Sequence, residues 1–269
     1  MSKGVGSNSR DRTAHVLNAL TTHGYVEIDT LAKELDVSTA TVRRDLDTLA
    51  QKQMLIRTRG GAVTNSSTYD LPLKYNALIH AEEKQRIARE AANRIAHSTV
   101  VGLNAGTTTT EVARAISLRN DLQGKPGDTT LTIVTNAINI AHELTIRSQF
   151  RLIVVGGMVR QQSYELIGPL AELLLNEISI DELILSANGL DLKSGVNCHN
   201  IGEAAIGQAM VNRSKRVTLV VDSSKIGVST FVTLCDIGMI DTVITDSKAA
   251  ERPEIVDGLI EAGVDVVMV

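Results

Sequence analysis

From residue 99 to its end the chain alternates short apolar runs with longer stretches of helical composition, and this alternation restricts the fold more than any other feature. The runs read VVGL, LTIV, RLIVV, ELILSA, RVTLVV, DTVIT and VDVVMV, and helical stretches cover residues 108–116, 137–145, 170–178, 203–212 and 254–262. A strand that is apolar at every position has no face to give to water, so it belongs in a parallel sheet covered by helices on both sides. Seven such runs joined by helices predict an α/β, doubly wound parallel-sheet domain. The helix expected over residues 81–96 carries Ile87, Ala91 and Ile95 on one stripe. Fewer than three heptads are available, so that stripe packs on the second domain rather than entering a coiled coil. The second domain is placed at residues 81–269.

The first 64 residues follow a different plan. A flexible Gly/Ser lead-in precedes a helix over residues 10–22, with Val16, Leu17 and Leu20 apolar and Gly24 to end it. Val26 and Ile28 alternate with Glu27 as a short extended piece. Leu31, Ala32 and Leu35 share a face of a second helix with Asp29 as its N-cap. VSTATVRRDLDTL then forms a third, with Val42, Leu46 and Leu49 at i, i+4 and i+7. Ser38 is suited to cap it and Val37 to pack on Val42. MLIRTRGGAVT reads as two strands meeting at Gly60-Gly61. Helix, helix, turn, helix, hairpin is the winged helix-turn-helix plan.

The outward face of the third helix carries small hydroxyl side chains followed by two arginines. Hydroxyls allow close approach in a DNA major groove, and arginine can bind a guanine edge or hold a phosphate. An arginine pair on a helix is equally the ordinary dress of a solvated face. Charge supports the DNA reading modestly: residues 1–64 carry nine Lys/Arg against seven Asp/Glu, while the remainder carries 18 against 24. The set expected at DNA is Ser38, Thr39, Thr41, Arg43 and Arg44, with Arg57 and Arg59 on phosphates or in the adjacent minor groove. There is no Trp, with two Phe and four Tyr, which counts against single-stranded nucleic acid, whose binding relies on aromatic stacking.

Ligands of open parallel sheets bind at the carboxyl ends of strands. Asn104, Gly106, Thr107, Thr108 and Thr109 lie between a strand and a helix, where backbone N–H groups and hydroxyls suit a phosphate; the same threonines can serve only to cap the helix. Gly156 and Gly157 follow RLIVV, Gly189 and Asp191 follow ELILSA, and Lys225 follows RVTLVV, each expected in a loop at that edge. Lys225 supplies a point charge, and Glu203 and Asp191 accept from sugar hydroxyls. Taken singly, glycines after strands serve turns and a lone lysine is solvated.

These residues carry a family resemblance. Val37-Ser38, Thr41-Val42-Arg43-Arg44-Asp45-Leu46 and Arg59-Gly60-Gly61-Ala62 match the VS-x-x-T-[IV]-RRDL run and G-G-A wing of the DeoR family of bacterial transcriptional repressors. The later loops match that family's G-T-T, GG, N/D-G-[IL]-D, G-[IV], E-A and D-S-S-K elements. Four positions depart: Gln53, where members commonly carry Gly; Asn104, where Asp is usual; and Gly207-Gln208, where basic residues are common. The resemblance implies a sensor domain sharing its fold with ribose-5-phosphate isomerase and glucosamine-6-phosphate deaminase.

The expected function is a repressor that binds double-stranded operator DNA and is released by a phosphorylated sugar effector, acting as a homodimer or homotetramer without cofactor or metal. The rival is a sugar-phosphate isomerase or deaminase with an appended DNA-binding domain. Residues 65–80, polar and with one proline, are expected as a linker. No run approaches the roughly 18 apolar residues of a membrane span and MSKGVGSNSR lacks an apolar signal segment, so a cytoplasmic protein without membrane contact is expected. Cys198 and Cys235 are too few for a disulfide framework, and Cys198-His199 lacks partner ligands for a metal.

Overall fold

The apolar positions Val16, Leu17 and Leu20 are buried on α1 (Ser9–His23), which Asn8 caps at the Arg10 N–H and Gly24 ends in a left-handed conformation. Chain order then gives β1 (Tyr25–Glu27), α2 (Ile28–Glu34), α3 (Thr39–Gln51), β2 (Leu55–Arg57), β3 (Gly61–Thr64) and α4 (Leu73–Asn76). The three strands form an antiparallel sheet in the order β1-β3-β2. Val16, Leu20, Leu31, Leu35, Val42, Leu46, Leu49 and Leu55 close one core between helices and sheet, the winged helix-turn-helix arrangement.

Two local expectations are corrected. Ile28 begins α2 instead of extending the strand, and Asp29 lies in the first turn of α2 instead of capping it. The reason lies in the wing. The Gly60 carbonyl accepts the Ile28 N–H at 3.0 Å, so a backbone group already satisfies the first open donor of the helix.

This computed structural model describes residues 8–52, 54–64, 73–124 and 128–269. Most of the lead-in, Gln53 and the linker segment 65–72 lie outside the described residues. Residues 73–80, also expected as linker, hold α4, with Tyr75 packed on the first core and Ile79 buried. The chain divides into two compact units, Met1–Ala81 and Glu82–Val269.

In the second unit α5 (Ala81–Arg94) precedes β4 (Val100–Leu103), α6 (Thr107–Leu118), β5 (Leu131–Thr135), α7 (Ile138–Leu144) and β6 (Phe150–Val154). A hairpin follows, β7 (Met158–Arg160) and β8 (Glu165–Ile167), then α8 (Pro169–Asn176), β9 (Glu182–Leu185), β10 (Gly189–Asp191), β11 (Gly195–Cys198) and α9 (Ile201–Asn212). The chain closes with β12 (Val217–Val220), β13 (Val232–Cys235), β14 (Thr242–Thr245), α10 (Pro253–Glu261) and β15 (Asp265–Met268).

All seven apolar runs enter one sheet, in the order β15-β14-β12-β9-β4-β5-β6, and every pairing in it is parallel. Successive strand residues feed opposite faces. Leu183 and Leu185 pack with Ala171, Leu175, Ile206 and Met210 of α8 and α9, whereas Ile184 packs with Ile87, Val112, Ile116 and Ile140 of α5, α6 and α7. The chain adds strands outward from β4 through β5 to β6, then returns to place β9 on the other side of β4. The order therefore reverses between β4 and β9, and in open α/β sheets the carboxyl ends at such a reversal are where ligands bind.

Two small sheets are additions to the expected plan. β7 and β8 pair antiparallel, and β10, β11 and β13 form an antiparallel sheet in that order. Gly189 and Asp191, expected in a loop, are therefore the two ends of a strand.

Candidate functional site

In the first unit α3 buries Val42, Leu46 and Leu49 and turns Ala40, Arg43, Arg44 and Asp47 outward. Ser38 caps it, its hydroxyl accepting the Thr41 N–H at 3.2 Å and lying 2.9 Å from the Thr41 hydroxyl. Thr39 is half-buried in the first turn. Arg43, Arg44 and Arg59 are exposed and make no ion pair among the described residues. Arg57 differs. Its Nε donates to Asp47 at 2.8 Å and its terminal nitrogen donates to the Gly61 carbonyl, so it braces the wing against α3. Arg12 grips Asp45 through two nitrogens at 2.6 and 3.2 Å and fastens α1 to the same helix.

In the second unit the reversal point is stitched by Asn104. Its Nδ2 donates to the Ser186 carbonyl at 2.9 Å and its Oδ1 accepts the Ser186 N–H at 2.8 Å, joining the segments that leave β4 and β9. The Ser186 hydroxyl donates to the Ala105 carbonyl at 3.1 Å. Gly106 sits against that hydroxyl, in the space a side chain would take. The side-chain amide gives one hydrogen bond and accepts another at once, so Asn104 clasps the two segments together.

The amino end of α6 has no side-chain cap. Thr109 and Thr110 donate their hydroxyls back to the Gly106 carbonyl at 3.2 and 2.6 Å, so Thr109 does not offer a hydroxyl proton to a ligand. The first backbone N–H groups of the helix, from Thr107 and Thr108 onward, carry the partial positive charge that favours an anion.

Lys225 lies in a helical turn, Ser223–Lys225, that Asp222 caps at the carboxyl end of β12, the strand beside β9. A second lysine joins it. Lys84 of α5 is buried, 5 % exposed, and its ammonium is pushed down to about 8, first by burial and then by Lys225, against the pull of Asp222, Glu111 and Glu83. Lys84 was not among the expected site residues. In EEKQR it reads as one more charge on a solvated helix face, and only the tertiary packing turns it inward.

The remaining expected residues separate. Gly156 and Gly157 follow the edge strand β6, four strand positions from β12, or about 19 Å at the usual spacing. Gly157 is held close to the Ile167 carbonyl of β8, and Gly189 close to the Val228 carbonyl. Asp191 turns its carboxylate onto the N–H groups of Ser194 and Lys193, both at 3.0 Å. These bonds, Ser194 first, hold it below the usual carboxylate range. One of its two oxygens, Oδ1, is thus taken up by the β10–β11 turn.

Glu203 stands in the first turn of α9 and pairs with Arg160 of β7 at 3.2 Å. Directly across the hairpin from Arg160 is Glu165. Its carboxyl is 6 % exposed and raised well above the usual range, by burial first and by Glu203 second, with Arg160 opposing.

The description "DeoR-like helix-turn-helix domain" matches residues 12–68, and "DeoR C terminal sensor domain" matches residues 79–247. The chain belongs to the DeoR family. It is 32% identical over 232 residues to the glycerol-3-phosphate regulon repressor of Escherichia coli (strain K12), covering 86% of this chain and 88% of that one. It is 33% identical over 245 residues to the transcriptional repressor AccR of Agrobacterium fabrum, covering 90% and 92%. Among solved structures, ribose 5-phosphate isomerase A of Methanocaldococcus jannaschii aligns over 55% of each chain with 16% identity and a TM-score of 0.40.

Among the described residues of this DeoR-family chain, no helix is long and apolar enough to cross a membrane, and no group of three or more His, Cys, Asp and Glu could hold a metal ion. Cys198 and Cys235 are buried free thiols, pushed up by burial to about 11 and about 12, so neither is a thiolate at neutral pH.

Proposed function

We propose that this DeoR-family protein is a DNA-binding repressor of carbohydrate genes whose hold on its operator is released by a phosphorylated sugar. The observation that carries the effector reading is one arrangement in the second unit. Two lysines, Lys84 and Lys225, and the uncapped amino end of α6 gather at the carboxyl edge of the sheet beside its reversal point. Two cations and a helix amino end favour a dianion, and a phosphate ester supplies one.

In this reading Lys225, Lys84 and the backbone of Gly106, Thr107 and Thr108 take the phosphate, and Glu203 faces the sugar. Arg43, Arg44, Thr39 and Thr41 read base edges in the major groove, and Arg59 holds a phosphate of the backbone. An effector that binds the weakly DNA-binding state more tightly draws the population there, and operator DNA must weaken the effector by the same factor. Paired half-sites call for a homodimer or higher assembly, since one small module buries little interface.

The isomerase or deaminase alternative needs a free general base near the sugar carbons. Glu203 is paired with Arg160, and Asp191 caps its own turn.

A thermal-shift screen of the full chain against sugar phosphates, repeated with Lys225→Ala, tests the sensor. Stabilisation by a compound that disappears in the variant supports it, and the absence of any stabilising compound refutes it. A mobility shift with Arg43→Ala and Arg44→Ala tests the reader, which is refuted if both leave operator affinity unchanged. Turnover of ribose 5-phosphate or glucosamine 6-phosphate by the purified protein would restore the enzyme.

A further inference from the structure

Glu165 is a buried acid of the second unit with an oxygen left over. Its side chain is more than nine-tenths buried, and among the described residues its Oε2 has no hydrogen-bond partner. Around it stand Arg160 of β7, Glu203 of α9 and the Cys198 thiol of β11, so two carboxyls face one guanidinium. That guanidinium is already paired to Glu203.

The place of this group in the fold is the second observation. The backbone at Glu165 bridges to Ala137, and the Leu166 N–H donates to the Asn136 carbonyl at 2.7 Å, so β8 lies across the segment leaving β5. The Asn136 side chain accepts the Ala105 N–H at 3.1 Å, which ties that segment to the loop before α6. The strand that carries Glu165 is thus mounted at the carboxyl end of β5, on one side of the reversal point, while Lys225 lies beyond β9 on the other.

We propose that Glu165, beside the Arg160–Glu203 pair, is a ligand-recognition residue that receives uncharged hydroxyl groups of a phosphorylated sugar or polyol. This rests on the reading of the lysines and the α6 amino end as the phosphate site. A carboxyl buried next to a second carboxylate keeps its proton, and a neutral acid both gives a hydrogen bond and takes one, as a sugar hydroxyl does. A ligand carboxylate in the same place would meet Glu203 and gain nothing from Arg160, which is engaged. The crevice therefore favours neutral hydroxylated esters over esters of sugar acids.

The test is calorimetric titration of the full chain with D-ribose 5-phosphate, D-fructose 6-phosphate, D-glucitol 6-phosphate, 6-phosphogluconate and inorganic phosphate. At pH 7 a neutral ester binds at least tenfold more tightly than both inorganic phosphate and 6-phosphogluconate. Glu165→Gln, which keeps a donor and an acceptor without a proton to lose, holds that ester within threefold. Glu165→Ala drops it to the level of inorganic phosphate, whose own affinity is unchanged and reports an intact fold. The ratio of wild-type to Glu165→Gln affinity, in which ligand ionisation cancels, falls as pH rises from 6 to 9.

Neutral esters no tighter than inorganic phosphate, an unaffected Glu165→Ala, or equal losses in Glu165→Ala and Glu165→Gln with inorganic phosphate retained each overturn this proposal alone. Failure of wild-type protein to bind any phosphate compound overturns the anion site and this proposal together.

Discussion

The two units treat their motif residues in opposite ways. In the first, the arginines that define the motif are left alone by the fold: Arg43, Arg44 and Arg59 project into solvent while Arg12 and Arg57 do the internal bracing. In the second, several motif residues are consumed by the fold. Asn104 clasps Ser186, Thr109 turns back on Gly106, and Asp191 caps its own turn. Two buried ionisable groups there, Lys84 and Glu165, belong to none of the expected motifs. A surface that reads a large partner can be assembled from side chains with nothing else to do, whereas a crevice needs groups held out of water, and holding them there requires the neighbours.

The strongest way to break this contrast is Lys84→Met. A lysine whose proton is released near 8 when folded and near 10.5 when unfolded binds fewer protons in the native state between those values, so folding stability rises with pH across that window. The span is on the order of 3 kcal/mol. Denaturant titrations from pH 7 to 11 are expected to show the wild type gaining on Lys84→Met as pH climbs. Equal slopes would mean that the ammonium is not buried. In the same wild-type protein, affinity for a phosphate ester weakens as pH passes about 8, because the cation it meets is lost.

Next come the readers. Arg43→Ala and Arg44→Ala are each expected to weaken operator binding by roughly 1 to 3 kcal/mol if they meet base edges, with relaxed preference at one position. Thermal stability stays put, since neither arginine has an ion-pair partner among the described residues. A fall in stability instead would erase the difference between the units.

Asn104→Asp makes the opposite prediction for the crevice. The variant loses the donor to the Ser186 carbonyl and sets a carboxylate against it, for a loss of stability of roughly 1 to 3 kcal/mol. Urea midpoints at pH 7 and pH 4 separate the causes: protonation restores a donor, so the deficit shrinks in acid. The smallest effect belongs to Arg59→Ala, expected to weaken all DNA sequences alike and to lower the salt slope of binding by about one, read from mobility shifts at several salt concentrations.

The sequence exposed the architecture because its signals were local and repeated. Runs such as LTIV are rich in β-branched and apolar residues, and seven of them separated by helical stretches suit the strands of a helix-covered parallel sheet. The recognition helix was equally legible, down to the Ser38 cap. Strands of three or four residues without alternation, such as those of β7, β8 and β10, carry no such signal. Nor do the partner of Asn104 and the carboxylate that opposes ionisation of Glu165, which are 82 and 38 residues away along the chain at Ser186 and Glu203. Asp29 went astray because α2 starts one residue earlier, at Ile28, whose N–H is satisfied by the Gly60 carbonyl 32 positions later in the chain.

The clasp between Asn104 and Ser186 has a mechanical corollary. With two hydrogen bonds welding the roots of β4 and β9, a guest cannot announce itself by prising those strands apart. Whatever movement the sensor makes must be carried by parts bolted to its brim, the Ser223–Lys225 turn on one side and the β7–β8 hairpin on the other, while the floor beneath them holds still.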